Sequence, residues 1–207
     1  MFPDLARDDV FRLETARLWL RWPRAADAAA IHRFCSSWEV ARFTPRIPHP
    51  YPPGSAERFI YAAREANASG RDLTLVLTPF KGRRDVIGSI SLESRGADRL
   101  TLGFALAPEA WGKGFATEAA RAMVKTGFEL TSAIEIIANV MTENPASRRV
   151  LEKCGFVLSG TGMVGAPARG GLIECHRFRL GREAWSEATA RSRPAADEAP
   201  LAALAAR

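Results

Sequence analysis

Leu102-Gly103-Phe104-Ala105-Leu106-Ala107-Pro108-Glu109-Ala110-Trp111-Gly112-Lys113-Gly114-Phe115-Ala116-Thr117-Glu118-Ala119 is the stretch from which the fold can be read. It begins as a strand, turns through Pro108 and Gly112-Lys113-Gly114, and enters a helix expected from about residue 116 to 130. The first turn of a helix carries free N–H groups at the positive end of its dipole, and glycines ahead of it let a ligand approach the backbone. The product is an anion site suited to a phosphate or pyrophosphate. Two nucleotide motifs are excluded. A P-loop needs Ser or Thr after the Gly-Lys pair, and residue 114 is Gly. A dinucleotide fingerprint needs a third glycine where Thr117 stands, and a parallel strand-helix-strand unit.

Upstream, residues 73–78, 86–92 and 100–106 read as three strands rich in Val, Ile, Leu and Thr. Their connections are too short for crossover helices, so they run antiparallel. Before them, 17–21 alternates as a strand, and Asp27 opens an alanine-rich helix to about Ser36. Five prolines between Thr44 and Pro53 make a loop, and a second helix runs over 54–69. Downstream, 134–140 is a strand expected to lie parallel to 100–106 by a right-handed crossover. Further strands fall near 156–160 and 173–180.

The second informative segment is Asn144-Pro145-Ala146-Ser147-Arg148-Arg149-Val150-Leu151-Glu152-Lys153-Cys154-Gly155-Phe156. Asn144 suits a helix cap, and Gly155 a helix stop. Ser147, Val150, Leu151 and Cys154 share one helical face by their spacing. Alone, the segment is an amphipathic helix. Together, the two segments resemble the signature of the GNAT N-acetyltransferases, most closely the Rim-type branch that acetylates ribosomal-protein N-termini. Trp111 through Ala119 resembles that family's pyrophosphate loop, and Asn144 through Phe156 its following helix motif.

The resemblance covers residues 15–186 and implies an α/β fold. It implies a mixed, mostly antiparallel sheet of six or seven strands, helices on both faces, and a splay around Leu106 and Val140. Residues 1–14 are then an N-terminal extension and 187–207 an Ala/Arg/Pro-rich mobile tail. Acetyl-coenzyme A is the implied cosubstrate, with no metal. Phe104, Ala105 and Leu106 map to the backbone that meets the pantetheine arm. Gly112, Lys113, Gly114, Phe115, Ala116 and Thr117 map to the pyrophosphate loop, and Asn144 to a contact near the pantetheine. Many relatives place a Tyr acid where Leu151 stands here. In the Rim-type branch a Ser at the position of Ser147 is the proposed acid. Thr101 replaces the branch's usual Glu base, so Glu174 is taken as the base, with Glu93, His176 and ordered water as alternatives. Trp38, Arg42, Phe43, His49 and Tyr51 are candidates for the acceptor wall.

Composition limits the alternatives. The 207 residues fit one domain, with 47% hydrophobic and 25% charged residues. No apolar run reaches the roughly 18 residues of a membrane span, and the first residues lack a secretory pattern. Cys35, Cys154 and Cys175 are scattered, without a CxxC pair, which suits a cytoplasmic protein. The net charge of +6 is dispersed, which reads first as a solvated basic surface and second as attraction for an anionic cofactor, ahead of nucleic acid. The acceptor is then a primary amine, of a protein or peptide N-terminus in the first reading and of a small molecule in the second. A third reading is a non-catalytic acyl-coenzyme A-binding domain. A monomer or homodimer is expected.

Overall fold

The computed structural model of the chain describes residues 11–81, 85–96 and 98–192. In chain order the elements are β1 (Arg12–Glu14), β2 (Leu18–Arg21), α1 (Ala28–Cys35), α2 (Trp38–Ala41), α3 (Ser55–Ala68), β3 (Asp72–Pro79), β4 (Gly88–Ser94) and β5 (Arg99–Leu106). There follow α4 (Phe115–Leu130), β6 (Glu135–Met141), α5 (Pro145–Lys153), β7 (Val157–Ala166), β8 (Gly171–Gly181) and α6 (Arg182–Ser192).

All eight strands form one sheet, in the order β1-β2-β3-β4-β5-β6-β8-β7. The eighth strand, beyond the six or seven expected, is β1. It is three residues long and pairs antiparallel with β2, too short to show a period of two in sequence. β7 also runs further than expected, to Ala166. Gly160, Gly162 and Gly165 make that stretch look like a loop, but pairing along β8 holds it extended. Residues 187–192, assigned to the tail, complete α6. The rest of the tail, and residues 1–10 of the extension, lie outside the described residues.

Side-chain alternation along β3 separates two layers. Leu73, Leu75 and Leu77 face Met123, Val124 and Phe128 of α4, while Val76 faces Ile31, Phe34 and Ile60 of α1 and α3. α4 lies close on the sheet because Gly127 has no side chain: a Cβ there would stand 2.8 Å from Leu92 Cδ1. β2 ends opposite Val76, leaving Thr74 of β3 without a strand partner on that side. Asn67 of α3, fully buried, takes the partner's place. Its Nδ2 donates to the Thr74 carbonyl at 2.9 Å and its Oδ1 accepts the Thr74 N–H at 2.7 Å.

The functionally decisive feature is the join between β5 and β6. These are parallel neighbours, but pairing is confined to Arg99–Thr101 against Glu135–Ile137. β5 then continues to Leu106 along β4, and β6 to Met141 along β8, so the two strands part. The closed end is held by Arg182, whose guanidinium donates to the carbonyls of Phe128 (2.5 Å), Thr131 (2.7 Å) and Ala133 (2.8 Å). These are groups that the end of α4 and its turn would otherwise leave unpaired.

Candidate active site

A groove of about 380 Å³ opens where β5 and β6 part, floored by β5 and flanked by the starts of α4 and α5. Phe104, Ala105, Leu106, Gly112, Gly114, Phe115, Ala116, Thr117, Asn144 and Ser147 all line it. Lys113 does not; it is exposed at the loop tip, and its carbonyl accepts Arg17 Nη1 at 2.9 Å.

The direction of the β5 backbone follows from one bond. Ala107 N–H donates to Ile87 next to β4, at 2.9 Å. By the alternation of a strand, the polar backbone groups of Phe104 and Leu106 point the other way, into the groove. One of them is already used: Trp111 Nε1 donates to the Leu106 carbonyl at 2.8 Å. The Leu106 N–H and the Phe104 carbonyl remain to meet an extended ligand.

The loop before α4 depends on its glycines. Gly112 has φ +73° and Gly114 φ +81°, the left-handed region where a side chain is strained. Gly114 is the N-cap of α4, and no side chain caps this helix. Glu118 N–H reaches back to the Gly114 carbonyl at 3.0 Å and closes the first turn. The N–H groups of Phe115, Ala116 and Thr117 precede that bond and have no carbonyl within the helix to reach. They face the groove at the positive end of a 16-residue helix.

Sequence reasoning missed what holds this loop. Arg17 Nε donates to Glu118 Oε2 at 2.7 Å, and its guanidinium lies 4.8 Å from the Phe115 ring centroid. Thr15 Oγ1 and Arg17 N–H donate to Glu118 Oε1 at 2.6 and 2.7 Å. Burial alone would raise the Glu118 carboxyl, but these donors outweigh it and hold it below the ordinary carboxylate range. Thr15 and Arg17 lie about a hundred residues from Glu118 in sequence, and no local pattern announces the pairing.

Across the groove, Asn144 Oδ1 accepts the Ser147 N–H at 3.0 Å, capping α5. The amide's donors are left toward the groove. Leu151 is fully buried in the core and adds nothing to the groove. Ser147, half-buried, is the hydroxyl that α5 presents there.

A second cavity, about 590 Å³, lies on the other side of β5 under α1, α3 and the proline-rich loop. Phe104, Ala105 and Thr44 line both spaces, so the groove and the cavity meet at the middle of β5. Tyr51 lines this second cavity and Phe43 the groove, whereas Trp38, Arg42 and His49 line neither. Glu174 is exposed on β8 and lines neither space. Glu93 does line the cavity, with its side chain only 13% exposed. Ser91 Oγ donates to its Oε1 at 3.2 Å, and Arg46 and Arg95 pair with its carboxylate. Glu93 is the cross-strand partner of Thr101. The two side chains therefore lie on the same face of the sheet. Only the register of β4 against β5 reveals this.

Cys35 and Cys154 are poor nucleophiles. Burial raises Cys35, in the wall of the cavity, to about 12, and Cys154, near Thr117, to about 11. Both stay protonated at neutral pH. Among the described residues, no group of three or more His, Cys, Asp or Glu side chains could hold a metal ion. No described helix is long and apolar enough to cross a membrane.

A family model described as an acetyltransferase (GNAT) domain matches residues 17–157. The chain belongs to the GNAT family. Proteins similar over most of its length include the uncharacterized N-acetyltransferase YoaA of Bacillus subtilis, 32% identical over 72% of this chain and 84% of that one. Another is the uncharacterized N-acetyltransferase p20 of Bacillus licheniformis, 28% identical over 81% of this chain and 94% of that one. The FsC-acetyl coenzyme A-N(2)-transacetylase of Aspergillus fumigatus is 47% identical over 59 residues, and the match spans only 25% of that enzyme's length. Among solved structures, RimJ of Mycobacterium smegmatis in complex with CoA-disulfide superposes with a TM-score of 0.74 at 23% identity, over 93% of this chain and 98% of that one. At that identity the likeness shows a shared GNAT fold.

Proposed function

We propose that this acyltransferase moves an acetyl group from acetyl-coenzyme A to a primary amine, with a protein or peptide N-terminus as the preferred acceptor. The observation that carries the reading is the meeting of groove and cavity at Thr44, Phe104 and Ala105. A ligand arm lying along the parted strands and an amine entering from under α1 and α3 come together there.

The groove fits the cosubstrate in kind. It offers uncapped helix N–H groups beside glycines at positive φ, and at Gly112 an added Cβ would meet nothing within 4 Å. Acetyl-coenzyme A brings the activated acyl group; the chain's residues bind, orient and move protons. Gly112, Gly114, Phe115, Ala116 and Thr117 hold the pyrophosphate. The backbone of Phe104 and Leu106 and the amide of Asn144 orient the arm. Leu106 N–H faces the oxygen where charge develops. Ser147 Oγ donates a hydrogen bond to the departing sulfur. Glu93 takes the proton from the acceptor ammonium, directly or through water, because an amine of pKa about 8–10 is mostly protonated at pH 7. The protonated thiols of Cys35 and Cys154 favour direct attack by the amine over a cysteinyl acyl-enzyme.

The test is release of thiol from acetyl-coenzyme A with a panel of peptides and small amines, on wild type, Glu93→Gln and Glu174→Gln. Glu93→Gln is expected to lower kcat/KM by about 10²-fold, and Glu174→Gln to leave it unchanged. A wild type that binds acetyl-coenzyme A yet releases no thiol with any amine would return the chain to a binding role. The opposite order of the two variants would return the base to β8.

A further inference from the structure

The acceptor cavity is lined by three guanidinium groups, Arg46, Arg58 and Arg71, and by two carboxylates, Glu93 and Asp72. Two of the arginines have acidic partners. Arg46 pairs with Glu93, and Arg71 pairs with Asp72 at 3.3 Å and Glu65 at 3.4 Å. Arg58 is different: its Nη2 donates to Ser55 Oγ at 2.7 Å, and among the described residues it makes no ion pair. The cavity therefore holds one positive charge more than its own acids balance. The walls around these groups are apolar, from Ile31, Phe34, Phe59 and Ala63. The three arginines are themselves largely exposed, at the outer side of these apolar walls.

From this arrangement we infer that the acceptor is a primary amine that also carries a carboxylate, which Arg58 and Ser55 bind while the amine is presented near Glu93. The inference rests on the acetyltransferase reading above. The planar fork of Arg58 matches a carboxylate with two parallel donors, and the Ser55 hydroxyl beside it adds a third. A polyamine would face three guanidinium groups, of which one makes no ion pair among the described residues. The carboxylate can be the α-carboxylate of a free amino acid, or an acidic side chain next to the N-terminus of a peptide. Both present the same chemistry to Arg58.

The experiment uses matched pairs on the full chain. One pair is alanine and alaninamide. The other is a C-terminally amidated peptide with aspartate at its second position and the same peptide with asparagine there. Thiol release gives kcat/KM for each. Calorimetry on protein saturated with coenzyme A gives the affinity of each without any reaction. A charge-assisted bond of this kind corresponds to roughly tenfold or more. At least one acid is therefore expected to exceed its amide by about tenfold in kcat/KM and in affinity, and the pair that does so identifies the source of the carboxylate. Arg58→Gln should bring that ratio close to one, and Arg58→Lys should restore part of it, with coenzyme A affinity unchanged as the check on folding. Equal binding of acid and amide in both pairs overturns the inference, as does a ratio that survives Arg58→Gln. A clear acid preference in calorimetry without thiol release from any acceptor upholds the Arg58 subsite and overturns the transferase reading instead.

Discussion

The helices α4 and α5 both aim their N-termini at the groove, and they begin in opposite ways. α5 starts from Asn144, whose side chain takes the Ser147 N–H; α4 starts from Gly114, which has no side chain to offer. A capped end spends a donor on its own stability and fixes the next residues in place, which suits a helix that must present Ser147 at one position. An uncapped end keeps its donors for a ligand and forgoes about 0.5–2 kcal/mol of capping stability. Here the open end is braced from outside, by Arg17, Thr15 and Glu118, so that no bracing atom occupies the anion's place. On the proposed reading, phosphate binding and hydroxyl positioning are divided between two helix starts by one residue each.

Filling the open end should have the largest effect. In Gly114→Val a β-branched residue is forced to φ +81°, and its Cβ lies 3.3 Å from the Arg17 guanidinium. Left-handed strain of about 1–2 kcal/mol and loss of a charge-assisted bond of about 1.5–3 kcal/mol predict roughly a hundredfold weaker acetyl-coenzyme A binding. Circular dichroism should show a folded domain. Equal affinities in a calorimetric titration would end the assignment of this loop to the pyrophosphate.

At the capped end, Ser147→Ala should lower kcat by about 10²-fold while leaving cofactor affinity alone, if the hydroxyl acts on the departing thiolate. Full turnover would reduce Ser147 to packing. That reading was available from the sequence because the segment from Asn144 to Gly155 is local: cap, helix face and stop follow each other within a dozen residues. The glycine turn was legible for the same reason. Glu93 was legible only as one alternative among several, because its pairing with Thr101 exists only after β4 and β5 come together. Arg17 was not, because its partner Glu118 is 101 positions away. The three-residue β1 and the glycine-rich half of β7 escaped because their extended form is imposed by neighbours, not by their own residues.

The brace gives a smaller effect with a pH signature. Arg17→Ala should raise KM for acetyl-coenzyme A by several-fold, on the order of 1 kcal/mol, with kcat unchanged. The Glu118 carboxyl is depressed in the folded state, so its contribution is fully present above the ordinary value of 4.5 and is lost as pH falls through the lower folded value. Wild type should therefore lose stability over that acid range, and Glu118→Gln should lose less there. Thermal melts across pH 3–7 would check this; superimposed profiles would count against the brace.

The smallest expected change is at the cap itself. Asn144→Ala should cost about 1 kcal/mol of stability, read as a lower denaturant midpoint at constant slope. It should also weaken cofactor binding, since the same amide faces the groove; a stability loss with no change in affinity would make Asn144 a cap alone.

The short β5–β6 join also makes the sheet a pair of tweezers. Its pivot is three residue pairs with the Arg182 guanidinium at their back, and its jaws are the strand ends at Leu106 and Met141. Each jaw is stiffened on its outer side, the first by β4 and the second by β8. The parting is consequently set by two strand stacks joined at one end, one ending at Leu106 and the other at Met141. The space between the jaws is open without any strand having to unpair.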